Sequence, residues 1–354
     1  MGFIKKIHLS LVWTALIAIG CAKASFSDND SHHSLDNSSS GQTPDEGLNK
    51  NSYFFVKRQA DILFVIDTST SMSEEQTLLQ SGFPSFTSTI NTYSGGTLDW
   101  HIAITSTDVS GAGPGTAGAL IAFAGTPAST YYLDSRLDVA VANAAFQSTV
   151  ILGVGGSADE RGIAAARMTA QREFNPATSR GFLRPDTPLS VIVLSDEDEA
   201  STGPDSPSWQ PIDEPANFVP AIRALDAAST GLKTITFHSL VTSTQACLDG
   251  PGSYMGETYM SLSRMTNGII GDICALTGSY QQQLEAMAVN IVNEARTYTL
   301  NCGKISGGTV KLYEQTLSGA LVFVPSSFLP PNKVILESAP AVGSLIKANF
   351  LCMD

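Results

Sequence analysis

The chain has 354 residues, with 33 acidic against 20 basic side chains and a formal net charge of −13. Hydrophobic residues make up 43% and charged residues 15%, a balance typical of globular and not of disordered proteins. Because an acidic chain repels phosphate-rich surfaces, the composition excludes nucleic acid, and anionic lipid recognised through charge alone, as expected partners. Cations are the more natural small ligands.

The first 21 residues are typical of a bacterial export signal. Lys5 and Lys6 precede Ile7–Ile19, a largely apolar run that is short for a membrane span. The run ends in the letters AIGC, which resemble a lipobox, the motif whose cysteine, here Cys21, is acylated and becomes the mature N-terminus. The letters AKA at 22–24 offer a competing cleavage site, so a soluble secreted protein is the alternative.

Residue 22 decides the expected location of a lipoprotein. Ala22 resembles the class that is sorted to the outer membrane, so we expect a lipid-anchored protein of the cell envelope, with the periplasmic or surface face left open. The lipid is the only membrane contact that we expect. Residues 22–52 are rich in Ser, Asp, Asn and Gly and indicate a disordered tether between the lipid and the folded chain.

From residue 53 onward, apolar runs of strand length alternate with segments of helical periodicity. The strand-like runs lie at 60–66, 100–105, 189–194 and 233–241, and the helical segments at 73–90, 159–173, 215–229 and 280–298. This alternation predicts an α/β fold, a Rossmann-like and mainly parallel sheet with helices on both faces. In such sheets the binding site lies at the carboxyl ends of the strands.

Two stretches depart from this rhythm. Residues 109–150 begin with a Gly-rich segment, 111–118, and predict an irregular insertion near the strand ends. Residues 299–354 carry short alternating runs punctuated by Pro and Gly, which predict a small C-terminal β domain. The four runs lie at 309–315, 320–324, 334–337 and 344–351.

Cysteine usage is consistent with export. Without Cys21 the chain retains Cys247, Cys274, Cys302 and Cys352, and an even number in an oxidising compartment suggests two disulfides. Order along the chain favours Cys247–Cys274 and Cys302–Cys352, because each pair closes a local unit. The other two connectivities, and four buried free thiols, stay open.

The strongest chemical signal is the segment DTSTS at 67–71, directly after the first apolar run. Asp67 offers a carboxylate, and Ser69 and Ser71 offer hydroxyl oxygens at alternate positions of a tight loop. Hard oxygen ligands with few charges suit Mg²⁺ or Mn²⁺. The alternative is an ordinary helix N-cap at Ser71 or Ser73, because serine there satisfies free backbone N–H groups without any metal.

The segment 62–72 resembles the first motif of von Willebrand factor A-type (VWA) domains, which carry a metal-ion-dependent adhesion site. The third motif of that family is an Asp after a later buried strand, and Asp196 matches it. Where the second motif has a Thr, this chain has the loop 155–160, with Ser157 as the best stand-in and Asp159 or Glu160 as alternatives. The resemblance covers roughly residues 55–298, so we assign 53–298 to this domain. More narrowly, the chain looks like the exported VWA lipoproteins of gram-negative bacteria.

The resemblance implies a mechanism of binding. One Mg²⁺ or Mn²⁺ ion is held by oxygen ligands, and a partner's Asp or Glu carboxylate fills the remaining coordination position. The implied ligands are Asp67, Ser69, Ser71, Ser157 and Asp196. The expected function is therefore cation-dependent adhesion or protein binding, with Thr107, Asp108 and residues 109–118 as the rim. A structural or assembly scaffold with a degraded, metal-independent site is the alternative.

The segment 195–214 contains seven acids and no base. It suggests a second cation site, with Ca²⁺ as the fitting ion, or a solvated acidic surface, which is the commoner meaning of such runs.

Enzyme chemistry finds little support in the sequence. Phosphotransfer of the haloacid dehalogenase type needs a second carboxylate two residues after Asp67, where this chain has Ser69. The Gly-x-Ser-x-Gly elbow of serine hydrolases is missing from the sequence. Outside the leader and the tether the only histidines are His101 and His238, both inside strand patterns. We therefore do not expect an enzyme.

Overall fold

The computed structural model describes residues 48–94, 98–110, 113–127, 129–156, 159–203, 207–226, 234–252, 254–316, 318–337 and 340–353. Residues 45–354 form one compact unit. The expected leader, Cys21 and the tether up to residue 47 lie outside the described residues, as does Ser157. In the part of the chain that is described, no helix combines the length and the apolar character that crossing a bilayer requires.

Over these residues the chain forms thirteen strands and seven α-helices. The strands are β1 (Leu48–Phe55), β2 (Gln59–Ile66), β3 (Asp99–Ser106), β4 (Leu133–Asp134), β5 (Leu189–Ser195), β6 (Ile235–Val241), β7 (Ile270–Asp272), β8 (Thr297–Thr299), β9 (Lys311–Gln315), β10 (Leu321–Val324), β11 (Ser326–Leu329), β12 (Lys333–Leu336) and β13 (Leu345–Cys352). The helices are α1 (Ser73–Ser94), α2 (Val139–Thr149), α3 (Gly162–Glu173), α4 (Pro215–Leu225), α5 (Gln245–Leu248), α6 (Glu257–Met265) and α7 (Thr277–Ala295).

The central sheet has six strands in the order β4-β3-β2-β5-β6-β7. All neighbouring pairs are parallel except β3 and the short edge strand β4, which are antiparallel. Every residue of β5 and β6 is buried, because successive side chains point to opposite faces and both faces are covered. The predicted mainly parallel α/β fold is confirmed.

Each face of the sheet has its own apolar core. On one face α1, α2 and α7 pack against Phe64, whose ring lies 5.0 Å from that of Phe146 and 5.6 Å from that of Phe86. On the other face α3, α4 and α6 cover Val65 and Val193. These two layers explain why the strands are continuous apolar runs in the sequence.

The C-terminal β unit is a small sandwich of two antiparallel sheets. One sheet has the strand order β1-β13-β9-β10 and the other β11-β12-β8. A third core lies between them and includes Leu312, Val334 and Ile346. The unit joins the α/β domain at the amino end of β2, where Val56 donates its backbone N–H to Ser344 at 3.0 Å and the Arg58 guanidinium donates to the Pro340 carbonyl at 2.6 Å.

The expected disulfides are confirmed. Cys247 bonds to Cys274, with Cα atoms 5.5 Å apart, and Cys302 bonds to Cys352, with Cα atoms 5.9 Å apart. The first closes the segment that follows β6, and the second closes the β sandwich. Both disulfides are therefore local to one part of the fold, as order along the chain suggests.

Two boundaries from the sequence need correction. Strand β1 begins at Leu48, inside the range 22–52 that was assigned to a tether. Its pairing partner is β13, at the far end of the chain, so the local sequence pattern does not predict this strand. The range 109–150 is not irregular throughout, because it holds β4 and α2, and Phe146 of α2 is fully buried in the core.

Arg184 ties together the amino ends of two neighbouring strands. Its Nε donates to Asp61 at 2.8 Å, and its two terminal nitrogens reach Asp99 and the backbone carbonyl of Ala60. Asp61 is completely buried, and its other oxygen accepts the Arg184 backbone N–H at 2.8 Å. A buried carboxylate is tolerated only when it is paired and hydrogen-bonded in this way.

We predict that Arg184→Met lowers the free energy of unfolding by about 3–5 kcal/mol, because it leaves the buried Asp61 charge without its partner. Arg136→Met is the matched control. Arg136 also pairs with an aspartate, Asp134 at 2.7 Å, but its side chain is 80% exposed, so its loss leaves stability almost unchanged. Denaturant unfolding measures both variants. Equal stability of the two would contradict the structural role of Arg184.

Candidate metal centre

The first-motif loop leaves the carboxyl end of β2, at the centre of the sheet. The backbone N–H of Asp67 bonds to the Leu194 carbonyl at 2.9 Å and so extends the ladder between β2 and β5 by one residue. The Asp67 side chain is fully buried. Its Oδ1 accepts the backbone N–H of Ser69 at 2.7 Å, an Asx turn that folds the loop back over the strand end.

Hydroxyl groups connect the first motif to the third. The Ser69 and Ser71 Oγ atoms lie 3.2 Å apart, and Ser71 Oγ donates to Asp196 Oδ1 at 3.1 Å. Ser195, the last residue of β5, donates its Oγ to Asp67 Oδ2 at 2.6 Å. The structure therefore brings together four of the five expected ligands. The role of Ser195 was missed in the sequence, although it precedes the matched aspartate directly.

The second-motif loop separates the three candidate stand-ins. Ser157 lies outside the described residues. Asp159 forms a 2.6 Å ion pair with Arg161 and accepts a hydrogen bond from Ser208 at 3.1 Å. Glu160 is buried, and its carboxyl group lies close enough to Asp67 for the Asp67 charge to raise its pKa. Of the two described candidates, Glu160 is the one that reaches the site.

Burial and neighbouring acids raise the pKa values of three carboxyl groups at the site, so the site favours binding of a proton or a cation. Burial, the Asp67 charge and other acids raise the pKa of Glu160 to about 9, although Thr107 donates a hydrogen bond to its Oε2. Burial, partly offset by the hydrogen bonds from Ser195 and Ser69, raises the pKa of Asp67 to about 6. The pKa of Glu197 is also raised, first by burial and then by the Asp67 and Asp196 charges.

The oxygens of this cluster fit a hard cation. Glu160 Oε1 is buried and has no hydrogen-bond partner among the described residues. Within the described chain, no basic side chain comes within 4.0 Å of the Asp67 or Glu160 carboxylate. Two adjacent buried carboxyl groups without a base need either a proton or a cation between them. Together with the Ser69 and Ser71 hydroxyls they form the all-oxygen set that Mg²⁺ and Mn²⁺ prefer.

The carboxylates of Asp67, Glu160 and Asp196 do not form a tight cluster in which every pair of carboxylate oxygens lies within 4.8 Å. Among described residues, the one group of three His, Cys, Asp or Glu side chains whose ligand atoms all lie within 4.8 Å of one another is Cys247, Asp272 and Cys274. Its two sulfurs are already joined as a disulfide. In the candidate centre, serine hydroxyls lie between Asp67 and Asp196, so a bound ion would take part of its ligand set from hydroxyl oxygens.

Two residues hold the site loops against each other. Gln76, buried in the first turn of α1, donates from Nε2 to the Asp67 carbonyl at 2.9 Å and to the Gly153 carbonyl at 3.0 Å. Gly156 donates its N–H to the Thr68 carbonyl at 2.9 Å. A Cβ at Gly156 would lie 2.0 Å from Thr68 Oγ1, so only glycine permits this close approach.

The expected rim is partly wrong. Thr107 and Asp108 are buried and are therefore not exposed to a partner. The Thr107 hydroxyl donates a hydrogen bond to Glu160, and the Asp108 side chain accepts the Ser110 N–H at 3.0 Å. The exposed apolar groups beside the site are Tyr254 and Val154, which are 65% and 37% exposed. Tyr254 donates its N–H to the Asp196 carbonyl at 2.9 Å, which places it next to the centre.

Four acids of the segment 195–214 are held by protein groups. Asp198 accepts from the Thr258 N–H and hydroxyl, Asp213 pairs with Arg167 at 2.5 Å, and Glu214 accepts the Gly203 N–H at 2.9 Å. Glu199 accepts the Ile163 N–H at 2.6 Å at the start of α3, and burial raises its pKa to about 7. The Ca²⁺ site in this segment stays a prediction.

Both strand histidines have structural surroundings. His101 Nδ1 bonds to the Phe182 carbonyl at 2.9 Å and pairs in register with Asp61, near the amino end of the sheet. His238 is fully buried and accepts the Ile269 N–H at 3.0 Å, and burial lowers its pKa to about 3. Neither imidazole belongs to the carboxylate cluster around Asp67.

No protein-family model matches the chain, and no curated protein is similar to it. Among solved structures it is similar to a von Willebrand factor type A protein from Catenulispora acidiphila, with 11% identity over 88% of this chain and 67% of that one and a TM-score of 0.39. It is also similar to the pilus adhesin SpaC from Lactobacillus rhamnosus GG, with 11% identity over 88% of this chain and 41% of that one and a TM-score of 0.38. A third similar structure is the pilus adhesin RrgA from Streptococcus pneumoniae, with 7% identity over 86% of this chain and 58% of that one and a TM-score of 0.33.

The chain thus spans about half the length of these two pilus adhesins, 41% and 58%. With TM-scores of 0.39 or less, the likenesses define no family. What the strand order and the helix placement define is the class, an α/β protein with a mainly parallel sheet and an appended antiparallel β unit.

We predict that the metal-free chain loses stability as pH rises. The ordinary pKa of Glu160 is 4.5, and the folded value is about 9, so between these values the folded chain keeps a proton that the unfolded chain releases. The free energy of unfolding therefore falls from about pH 5 to about pH 9. Thermal unfolding in a chelator measures this fall. Glu160→Gln should abolish the part between about pH 7 and pH 9, because the raised pKa values of Asp67 and Glu199 contribute only below about pH 7.

Asp159→Asn is the matched control, because it removes a carboxylate from the same loop that pairs with Arg161 instead. It should retain the fall in stability with pH. A flat profile of the unsubstituted chain between about pH 7 and pH 9, or a fall over that range that persists in Glu160→Gln, would contradict the burial of the Glu160 carboxyl group beside Asp67.

Proposed function

We propose that this chain is a VWA-type binding module of the cell envelope that uses one Mg²⁺ or Mn²⁺ ion to hold an acidic protein partner. Asp67, Ser69, Ser71 and Asp196 would hold the ion, with Glu160 as a further oxygen ligand. Cys21 would carry the lipid that retains the module in the envelope. The bound ion would supply a Lewis-acidic centre that attracts a carboxylate.

The observation that carries the proposal is the burial of the Asp67 and Glu160 carboxyl groups near each other, with no described basic side chain beside them. Such a pair is costly unless a positive charge or a proton compensates it. It lies at the carboxyl ends of parallel strands, where α/β sheets bind ligands. The neighbouring Ser69 and Ser71 hydroxyls supply uncharged oxygens, which a metal site uses and a purely structural acid pair does not need.

The rim side chains orient a partner around this centre. Tyr254 and Val154 are exposed on two different loops, so a partner carboxylate flanked by apolar side chains would bury them on both sides. Asp196 is fixed between these loops and the first motif, because its backbone carbonyl accepts from Tyr254 and Thr242. The partner's acid would thereby be recognised by position as well as by charge.

The same carboxyl pair also supports a second candidate function, that of a structural or assembly scaffold that needs no metal. A proton shared between Asp67 and Glu160 would then neutralise part of the site in place of a cation. Metal binding separates the two functions directly.

The test is calorimetry with Mg²⁺, Mn²⁺ and Ca²⁺ on residues 22–354, which include every described element. We expect one site, weakened at least about tenfold by Asp67→Asn and measurably weakened by Glu160→Gln, because ligand carboxylates supply most of the attraction. Asp159→Asn should bind like the unsubstituted chain. Absence of binding at millimolar metal would contradict the proposal and leave the scaffold.

A second arm of this experiment addresses the partner. The metal-loaded chain is titrated with a short fluorescent peptide whose central Asp is flanked by Leu, and with the same peptide carrying Asn. We expect retention of the Asp peptide alone, and only with metal present. Equal binding of both peptides would show that a carboxylate does not complete the site.

A further inference from the structure

One face of the β sandwich points away from its core. In an antiparallel sheet, residues that pair directly lie on the same face, so the strand register defines this surface. We name it the outer face of the four-stranded sheet. Its two fullest cross-strand rows are Tyr53–Lys347–Tyr313–Phe323 and Phe55–Leu345–Gln315–Leu321.

The outer face is apolar where a solvated face is expected to be polar. Tyr53, Phe55, Leu321 and Phe323 are 55%, 60%, 48% and 60% exposed. The opposite face of the same sheet already packs into the sandwich core, so these side chains are not needed to close the fold. Single exposed apolar residues are ordinary, but a contiguous set of this kind marks an interaction surface.

The charges on the outer face have one sign. Lys347 lies between Tyr53 and Tyr313 in one row, and Lys311 follows in the next row, opposite Asn349. None of the paired positions of these rows carries an acid. The chain as a whole has a net charge of −13, so this face is a local exception. Its complement is a surface that combines negative charge with apolar groups.

A second copy of the chain fits this surface poorly. A two-fold symmetric stack of two outer faces would bring like surfaces together, with a lysine from each copy near the centre and no acid to pair with it. Burying unpaired ammonium groups is costly. A lipid surface with anionic headgroups avoids this cost, because the lysines meet phosphate while tyrosine and phenylalanine rings enter the boundary between headgroups and acyl chains.

The order of the chain also favours a lipid surface. Strand β1 contributes one edge of the outer face and is the first described element after the expected acylation site, Cys21. The candidate metal centre lies at the carboxyl end of β2, whereas the sandwich joins the α/β domain at the amino end of that strand.

We propose that the outer face of the four-stranded sheet docks on a lipid surface that carries anionic headgroups. The docking orients the module, so that the lipid at Cys21 is not its only membrane contact. This surface is separate from the metal centre, and its test does not depend on metal binding.

The experiment is flotation of residues 22–354, which lack the apolar leader and the acylation site, with two kinds of vesicle. One kind is phosphatidylcholine alone, and the other contains about 30% phosphatidylglycerol. We expect binding to the mixed vesicles, weaker binding to phosphatidylcholine, and a loss on raising the salt from about 0.1 M to about 1 M.

Two substitutions probe the face separately. Phe55→Ser with Phe323→Ser should weaken binding at least about tenfold through lost apolar burial, and Lys347→Glu should weaken it through charge without altering the aromatic side chains. Leu276→Ser is the matched control, because Leu276 is 83% exposed but lies at the start of α7, outside the face. Thermal unfolding verifies that each variant is folded.

Three results would overturn the proposal. The first is no binding of the unsubstituted chain to either kind of vesicle. The second is binding that neither the serine pair nor Lys347→Glu weakens more than Leu276→Ser does. The third is a sedimentation mass that doubles with concentration and returns to that of one chain in the serine pair, which would assign the face to a second copy.

Discussion

Two buried carboxyl groups, Asp67 and Glu160, lie close together with no described basic side chain beside them, and they govern the carboxyl edge of the α/β sheet. Asp67 is fixed there by the ladder bond to Leu194 and by the Ser195 hydroxyl, and Glu160 is held by Thr107. Their raised pKa values express the cost of this arrangement, which a cation would offset more fully than a proton. The loop that precedes Glu160 packs closely on the first-motif loop, with Gly156 against Thr68.

The fold places its two candidate surfaces at opposite ends of the same strand. Strand β2 ends at the carboxylate cluster and begins three residues after β1, an edge of the four-stranded sheet. A module anchored and oriented through the β sandwich would therefore present its metal centre outward. At the amino end of the sheet, where the sandwich joins it, the Arg184 guanidinium links Asp61 of β2 to Asp99 of β3 and so restrains the two strands.

The sequence predicts the sheet well because a strand buried on both faces must be a continuous apolar run, as at 189–194. It also puts Asp67 and Asp196 at the carboxyl ends of two strands, since Asp67 directly follows such a run and Asp196 comes one residue after another. Glu160 was named only as an alternative to Ser157, because its burial depends on Thr107 and Asp67, which are distant in sequence. Strand β1 was missed for a similar reason, since its partner is β13. Contacts between residues that are distant in sequence determine both the burial of Glu160 and the formation of strand β1, and a local sequence pattern does not reveal such contacts.

The most direct test of the central claim is a crystal structure of residues 22–354 grown with Mn²⁺, with the ion located by its anomalous scattering. We expect one strong peak among the oxygens of Asp67, Ser69, Ser71, Glu160 and Asp196, and its disappearance in Asp67→Asn. An ordered site with no anomalous peak at millimolar Mn²⁺ would contradict metal binding at this centre, and would show that a proton alone compensates the buried acids.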